Sequence, residues 1–244
     1  MLRFYFFDSG LHWIYYFFNQ ENILKRHILE VDGIRKEFEG KIILSDIYLK
    51  CETTEIIGLL GSNGSGKSTL LKIIFGIVSA PNKCIRIDSL SKNNSSTLIS
   101  EISYLHQEQF LPNYLLVKKA ISLSIDKTEI TSFCEDKWIV PILKKKISHL
   151  SSGELRYLEI KLVLFNSSKF VLLDEPYNGL SPIMIEVINE LIKENSFKKG
   201  IIITDHNYQN VIKISNKLVL LKDGKTHHLK NKEELIERGY STVY

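Results

Sequence analysis

The most informative segment of this sequence is Gly61-Ser62-Asn63-Gly64-Ser65-Gly66-Lys67-Ser68. It matches the G-x-x-x-x-G-K-[ST] pattern of a phosphate-binding loop and stands between an apolar strand at residues 55–60 and a helix that begins at Lys67. The glycines let backbone amides curve around a polyphosphate, and the positive end of the helix points at the same anion. Lys67 would contact the β- and γ-phosphates, and the Ser68 hydroxyl would coordinate Mg²⁺. The simpler alternative, a glycine-rich turn between a strand and a helix, is disfavoured by these flanks.

Short apolar runs on both sides of this loop alternate with helical stretches, which predicts a layered α/β core. The runs ending at Leu60, Leu173 and Thr204 are apolar rather than alternating, as is typical of parallel strands buried on both faces. Asp32-Gly33 and Asp223-Gly224 predict tight turns, and therefore antiparallel hairpins at the two ends of this core. The predicted strands are residues 28–31, 55–60, 170–173, 200–204 and 217–221.

Two carboxylates, Asp174 and Glu175, follow the apolar run at residues 170–173. Proteins that transfer phosphate with Mg²⁺ place a metal partner at such a strand end. Asp174 would hold Mg²⁺, and Glu175 could orient and deprotonate a water beside the γ-phosphate. By itself the pair would more simply be an acidic turn, but a phosphate loop in the same chain favours the catalytic interpretation.

The composition is that of an ordinary globular chain. The 244 residues are 44% hydrophobic and 25% charged, which excludes disordered, collagen-like and disulfide-scaffold proteins. A net charge of +4 is too small to indicate a nucleic-acid partner, and none is expected. The three cysteines are far apart and favour a reducing cytosol. No run of about 18 residues is free of charge and apolar, so any membrane span would come from another chain.

Residues 1–27 are predicted to be an extension of a domain at residues 28–244. Nine of the 25 aromatic side chains fall within the first 18 residues. Asp8 interrupts the apolar stretch and no small-residue cleavage site follows it, so a signal peptide is disfavoured. The segment is interpreted as a poorly ordered extension or as a helix that docks on a membrane surface or a partner.

A further motif, Leu150-Ser151-Ser152-Gly153-Glu154, makes the chain resemble the ATP-binding cassette (ABC) ATPases over about residues 28–230. This resemblance implies a P-loop NTPase core of ABC type with a mostly parallel sheet, an antiparallel β subdomain and a short α-helical subdomain at about residues 108–160. The motifs stand in the family's order: Phe38, residues 61–69, Gln107, residues 150–154, Asp174-Glu175, a turn at residues 178–181 and His206.

The resemblance also implies roles for individual residues. Phe38 would stack on adenine, although a core aromatic at a strand end is the plain alternative. Gln107 would reach Mg²⁺ and the attacking water, and His206 would contact the γ-phosphate and hold Glu175. The catalytic set is thus Glu175, His206 and Gln107; the Mg²⁺ set is Ser68, Gln107 and Asp174; and the ATP-binding set is Phe38, Gly61, Ser62, Asn63, Gly64, Ser65, Gly66, Lys67, Ser68 and Thr69.

Ser151 followed by Glu154 is also a capping box at a helix start. In the family this helix end, with the Ser151 hydroxyl and the Gly153 amide, reaches the γ-phosphate held by a second cassette, which implies a homodimer. Two positions depart from the family pattern, because Ser152 replaces a glycine and Ser181 replaces an acidic residue. Only 43 residues separate Gln107 from Ser151, somewhat fewer than is usual for the helical subdomain.

The resemblance implies the ATP-binding and hydrolysing subunit of an ABC transporter, dependent on ATP and Mg²⁺ and driving a separate transmembrane permease subunit. Such a chain would be cytoplasmic and peripheral at the inner face of the cell membrane. One alternative is a soluble ABC ATPase that acts on a ribosome, DNA or an assembly scaffold, a class that often carries two cassettes or a coiled-coil insertion. Another is a regulatory nucleotide-binding module with little turnover, which Ser152 and Ser181 would suit.

Overall fold

The computed structural model of this chain describes residues 26–92, 95–231 and 234–235. Its strands form two sheets, one of six strands that is mostly parallel and one of five strands that is antiparallel. The predicted fold class is therefore confirmed. Of the predicted extension at residues 1–27, all but Arg26 and His27 lies outside the described residues.

The elements of the described chain are numbered in chain order. The strands are β1 (Ile28–Phe38), β2 (Lys41–Leu44), β3 (Tyr48–Glu52), β4 (Ile56–Leu60), β5 (Asn82–Ile87), β6 (Leu90–Ser91), β7 (Ile102–Leu105), β8 (Phe170–Asp174), β9 (Gly200–Thr204), β10 (Lys217–Lys222) and β11 (Lys225–Leu229). The helices are α1 (Lys67–Phe75), α2 (Ser95–Ile99), α3 (Val117–Ser124), α4 (Ile130–Cys134), α5 (Ser152–Phe165), α6 (Pro182–Ser196) and α7 (Tyr208–Ile214), with 3₁₀ turns at Val140–Ile142 and Ile147–His149.

The central sheet has the strand order β11-β10-β4-β9-β8-β7, and only β11 is antiparallel to its neighbour. Every residue of β4, β8 and β9 is buried, in agreement with the continuous apolar runs in the sequence. Because these strands are parallel, their carboxyl ends meet at one edge of the sheet, where open α/β sheets bind ligands. Asp174 is the last residue of β8, and the phosphate loop, Gln107 and His206 follow the ends of β4, β7 and β9 at this edge.

The antiparallel sheet corrects one turn prediction. Asp32 and Gly33 lie inside β1 instead of in a hairpin turn. Gly33 has φ of +62°, and the pairing of β1 with β5 shifts register between Asp32 and Arg35, so the glycine forms a bulge in a continuous strand. The turn between β1 and β2 is instead Glu39-Gly40, which follows directly after Phe38. At the other end of the chain, the predicted Asp223-Gly224 turn between β10 and β11 is confirmed.

Short helices and turns, α3 to α5, connect β7 to β8 and occupy most of the segment predicted as a helical subdomain. A cluster of side chains packs α4 and the residue Asp136 after it against α5. The Lys161 Nζ and the Tyr157 hydroxyl each lie 2.6 Å from Asp136 Oδ2, and the Phe133 and Phe165 rings pack edge to face beside them. Among the described residues, no helix has the length and apolar character that a bilayer crossing requires.

The Asp136 cluster predicts a pH dependence of stability. Burial raises the pKa of Asp136, but hydrogen bonds from Lys161 and Tyr157 outweigh burial and hold this pKa below its ordinary value of 3.8. The unfolded chain therefore takes up a proton before the folded one, so the stabilisation is complete above about pH 5 and is lost as the pH falls below about 4. In urea titrations, Asp136→Asn should flatten the fall in the free energy of unfolding over this range. Parallel curves for the two proteins would contradict the prediction.

Candidate functional site

The phosphate loop leaves β4 and enters α1 with its backbone in a fixed curve. Gly66 has φ of +104°, and a Cβ atom there would come within 2.8 Å of Ile43 Cγ2. A side chain at this position would therefore both strain the backbone and collide with β2. The sequence motif requires glycine here for these two physical reasons.

Lys67, the first residue of α1, turns back into the loop. Its Nζ donates to the Gly61 carbonyl at 2.7 Å and to the Ser62 carbonyl at 3.1 Å, and only 7% of the residue is exposed. Burial lowers the pKa of Lys67, and the nearby carboxylates of Glu175, Asp174 and Asp205 oppose this shift. The buried Lys67 ammonium group is thus surrounded by the backbone of the loop, where it can pair with an anionic phosphate.

Ser68 and Asp174 meet although 106 positions separate them in the sequence. The Ser68 hydroxyl donates to Asp174 Oδ1 at 2.9 Å, and Gln107 Nε2 lies 3.1 Å from Ser68 Oγ and 3.5 Å from the same Asp174 oxygen. The Tyr104 hydroxyl donates to the other carboxylate oxygen, Oδ2, at 2.8 Å. The three residues predicted for Mg²⁺ are therefore in direct contact.

Glu175 lies immediately beyond β8 in an uncommon backbone conformation. Its φ is +51°, and its amide donates to the Thr204 carbonyl at 2.8 Å. Non-glycine residues with positive φ store strain and occur often at functional sites. His206 lies close by, with Nδ1 4.0 Å from Glu175 Oε2 and 3.4 Å from Asp205 Oδ1. His206 is 55% exposed at its side chain, whereas Asp205 is fully buried and accepts the Tyr177 amide.

One cleft brings most of the predicted residues together. It has a volume of about 330 Å³. Phe38 stands at its margin with 46% of its surface exposed and Lys36 Nζ 4.7 Å from its ring centroid. An exposed ring at the end of β1 is available for stacking, so the alternative of a core aromatic is wrong. The lining residues are Phe38, Ile43, Asn63, Gly64, Gly66, Lys67, Ser68, Thr69, Gln107 and Glu175.

A second cleft of about 550 Å³ lies on the other flank of the loop. Ser62 and Ser65 face this side, between β2 and the turn that joins β10 to β11. The Gly61 carbonyl accepts from Lys67 and also from the Tyr208 hydroxyl at 2.8 Å. Ser62 and Ser65 therefore do not line the first cleft, and the two bonds to the Gly61 carbonyl stabilise the start of the loop.

The amino-terminal end of α5 does not line the first cleft. The predicted capping box is confirmed, because the Glu154 amide donates to Ser151 Oγ at 3.2 Å and the Ser151 amide donates to Glu154 Oε2 at 2.8 Å. Ser151 and Ser152 are exposed and Gly153 is half-buried. Ser181, the other departure from the family pattern, caps α6 by accepting the Met184 amide at 3.3 Å.

Two residues at the site were not predicted from the sequence. Tyr104 orients the Asp174 carboxylate, and burial strongly raises the pKa of its hydroxyl, which stays a donor. Arg156 is 7% exposed and donates to main-chain carbonyls around Asp174 and Glu175. Nothing in the local sequence set Arg156 apart, because α5 carries three other charged side chains.

Comparisons with known proteins agree on one family. A family model described as ABC transporter matches residues 44–178, more than half of the chain. The lipopolysaccharide export system ATP-binding protein LptB of Haemophilus influenzae is 31% identical over 81% of this chain and 88% of its own length. LptB of Acidithiobacillus ferridurans is 28% identical over 86% of this chain and 92% of its own length. The solved structure of an ATP-binding subunit of an ABC transporter is alike in fold, with a TM-score of 0.76 and 21% identity over 87% of this chain and 93% of that one.

Proposed function

The chain belongs to the ABC transporter family as an ATP-binding subunit, and we propose that it hydrolyses ATP to drive a separate transmembrane permease. The observation that carries this proposal is the single cleft in which an exposed aromatic ring, a phosphate loop, Gln107 and Glu175 converge. ATP has a chemical feature for the ring, the loop and Glu175. The adenine base would stack on Phe38, the phosphates would lie along the loop, and the γ-phosphate would face Glu175.

Within this cleft the chain's own residues divide the work of hydrolysis. Lys67 neutralises charge on the β- and γ-phosphates, and the loop amides hold the oxygens in place. Glu175 takes a proton from a water molecule while the oxygen of that water bonds to the γ-phosphorus. The bond between this phosphorus and the bridging oxygen breaks, which leaves ADP and phosphate. His206, 4.0 Å from Glu175, limits the positions that the carboxylate and the water adopt.

The residues present fit Mg²⁺. A serine hydroxyl and a carboxylate oxygen in contact are the hard oxygen ligands that this ion takes, with further positions filled by phosphate and water. Ser68 and Asp174 would hold the ion, and Gln107 would join them through Oε1 after its amide turns from the orientation in which Nε2 donates. When bound, Mg²⁺ would draw charge from the phosphate oxygens.

A second copy of the chain would complete the site. The amino-terminal end of α5, with Ser151 and Gly153, lies outside its own cleft and is partly exposed. Amide groups in the first turn of a helix favour an anion. In the proposed cycle this end of one copy contacts the γ-phosphate held by the other, so ATP closes the homodimer and hydrolysis releases it.

We place this dimer at the inner face of the cell membrane, where it would move a permease subunit. The test is capture of the tagged Glu175→Gln protein with ATP and Mg²⁺ from detergent-solubilised cells, followed by mass spectrometry. Recovery of a polytopic membrane protein with the Glu175→Gln protein, but not with the Lys67→Ala/Glu175→Gln double variant, supports the transporter role. Recovery of ribosomes or other soluble assemblies alone would contradict it.

Replacement of Phe38 tests adenine stacking. Phe38→Ala should raise the dissociation constant for ATP by about 5- to 100-fold, because stacking of a base on an aromatic ring contributes about 1–3 kcal/mol. Isothermal titration calorimetry measures this change. The Phe38→Tyr variant keeps an aromatic ring and should bind ATP as the unaltered protein does. Phe197→Ala removes an exposed ring after α6 and should not change the dissociation constant for ATP. Equal affinities for Phe38→Ala and the unaltered protein would rule out the stacking role.

A further inference from the structure

A buried ion pair on α5 lies behind the catalytic cleft. Arg156 and Glu159 are one helical turn apart, with side chains 8% and 2% exposed and a separation of 3.5 Å between Nη1 and Oε2. Neither side chain lines the cleft. Both nevertheless bond to the main chain of segments that do.

The Arg156 guanidinium donates to four main-chain carbonyls. Nη2 lies 2.8 Å from the Glu175 oxygen and 3.2 Å from the Asp174 oxygen, and Nε lies 3.4 Å from the Pro176 oxygen. Nη1 lies 2.8 Å from the oxygen of His106, the residue before Gln107. One planar group therefore joins the end of β7 to the end of β8.

Glu159 extends this connection to the far side of Gln107. Its Oε1 accepts the Phe110 amide at 2.9 Å and the Leu111 amide at 3.5 Å. Burial raises the pKa of Glu159, while these amides and Arg156 act in the opposite direction. The ion pair is thus hydrogen-bonded to the main chain at residue 106 and again at residues 110–111.

The hydrogen bond from Arg156 to the Glu175 carbonyl is important because the Glu175 backbone is strained. With φ of +51°, this residue keeps its conformation only if its surroundings hold it. The Thr204 carbonyl holds the amide of Glu175, and Arg156 holds its carbonyl. A general base must be placed within a fraction of an ångström, so loss of one of these two bonds should cost turnover even when ATP still binds.

We propose that Arg156, held by Glu159, is a positioning residue that fixes the Glu175 main chain relative to the Gln107 segment. A displacement of residues 106–111 is then carried through the guanidinium to the catalytic carboxylate. The proposal rests on the proposed hydrolytic role of Glu175, because it assigns the effect of Arg156 on turnover to that residue. A purely structural arginine would change stability without a selective effect on turnover.

Arg156→Lys is the informative variant. Lysine keeps the charge opposite Glu159, but its single ammonium cannot reproduce a planar fork of donors to four carbonyls. We expect kcat to fall by about 10- to 100-fold, as for a small misplacement of a catalytic group. The dissociation constant for ATP should stay within about twofold, since the phosphate contacts are intact.

The matched control is Lys161→Met on the same helix. It removes another buried cation, one that pairs with Asp136 instead of the cleft segments. This variant should lower the thermal midpoint and leave kcat unchanged. If Arg156→Lys does not fold, Glu159→Gln serves as the test variant. Glutamine still accepts the Phe110 amide, but it has no negative charge to pair with Arg156. A fall in kcat with ATP affinity retained is expected there too.

A double-mutant cycle with Glu175→Gln separates positioning from general damage. If Arg156 acts through Glu175, Arg156→Lys should not slow the residual hydrolysis of the Glu175→Gln protein any further. An equal loss in both backgrounds, or unchanged kcat in the single variants, would overturn the proposal. Failure of the proposed function looks different, because Glu175→Gln alone would then hydrolyse ATP at the normal rate.

Discussion

Glu175→Gln is expected to lower ATP turnover by about 10²- to 10⁴-fold while ATP binding is retained. Glutamine has nearly the same shape as glutamate but cannot accept the proton of the attacking water. The main-chain bonds of residue 175 to Thr204 and Arg156 do not depend on its side chain, so the loop after β8 should be preserved. Phosphate release measures turnover, and calorimetric titration with ATP measures affinity.

A matched control for this change is Glu186→Gln. Glu186 lies on α6, pairs with Lys213 and has a side chain that is 55% exposed, so both rate and affinity should be unaffected. Near-normal hydrolysis by the Glu175→Gln protein would mean that another group takes the proton. A loss of ATP binding together with turnover would mean that the substitution damages the cleft itself.

Lys67→Ala is expected to weaken ATP binding by about 10- to 100-fold, since a hydrogen bond to a charged group contributes about 1.5–3 kcal/mol. The Nζ atom lies inside the loop on the Gly61 and Ser62 carbonyls, in reach of the phosphates. Alanine favours the helix, so α1 should remain intact. Fluorescence titration with a labelled ATP analogue gives the affinity.

Lys72→Ala is the control for the Lys67 variant. Lys72 belongs to the same helix but lies in its last turn and does not line the cleft. It should bind ATP as the unaltered protein does. If Lys67→Ala and Lys72→Ala bind equally well, the ammonium group makes no phosphate contact.

Local sequence signals predicted much of the fold and the site. The apolar runs that became β4, β8 and β9 are buried at every position, and the loop between β4 and α1 follows from glycine spacing. The capping box at Ser151 and Glu154 could also be recognised, because both partners lie within one turn of helix. Such features depend on neighbours in the sequence and can be found without knowledge of the fold.

The missed features depend on context. Asp32-Gly33 has the composition of a hairpin turn, but the same positive φ at glycine serves a bulge when strands pair on both sides. Tyr104 acts on Asp174 from 70 positions away, and Arg156 acts on His106 from 50 positions away. No local pattern marks these contacts, since they exist only after β7 and β8 pair and α5 packs across their ends.

In the proposed cycle, ATP joins two copies of the chain and hydrolysis separates them. Light scattering of the Glu175→Gln protein during gel filtration tests this link most directly, because bound ATP persists when turnover is blocked. With ATP and Mg²⁺ the measured mass should be that of two chains, and it should return to that of one chain with ADP or when Lys67→Ala is added. A mass of one chain at saturating ATP would contradict the shared site and the transport cycle built on it.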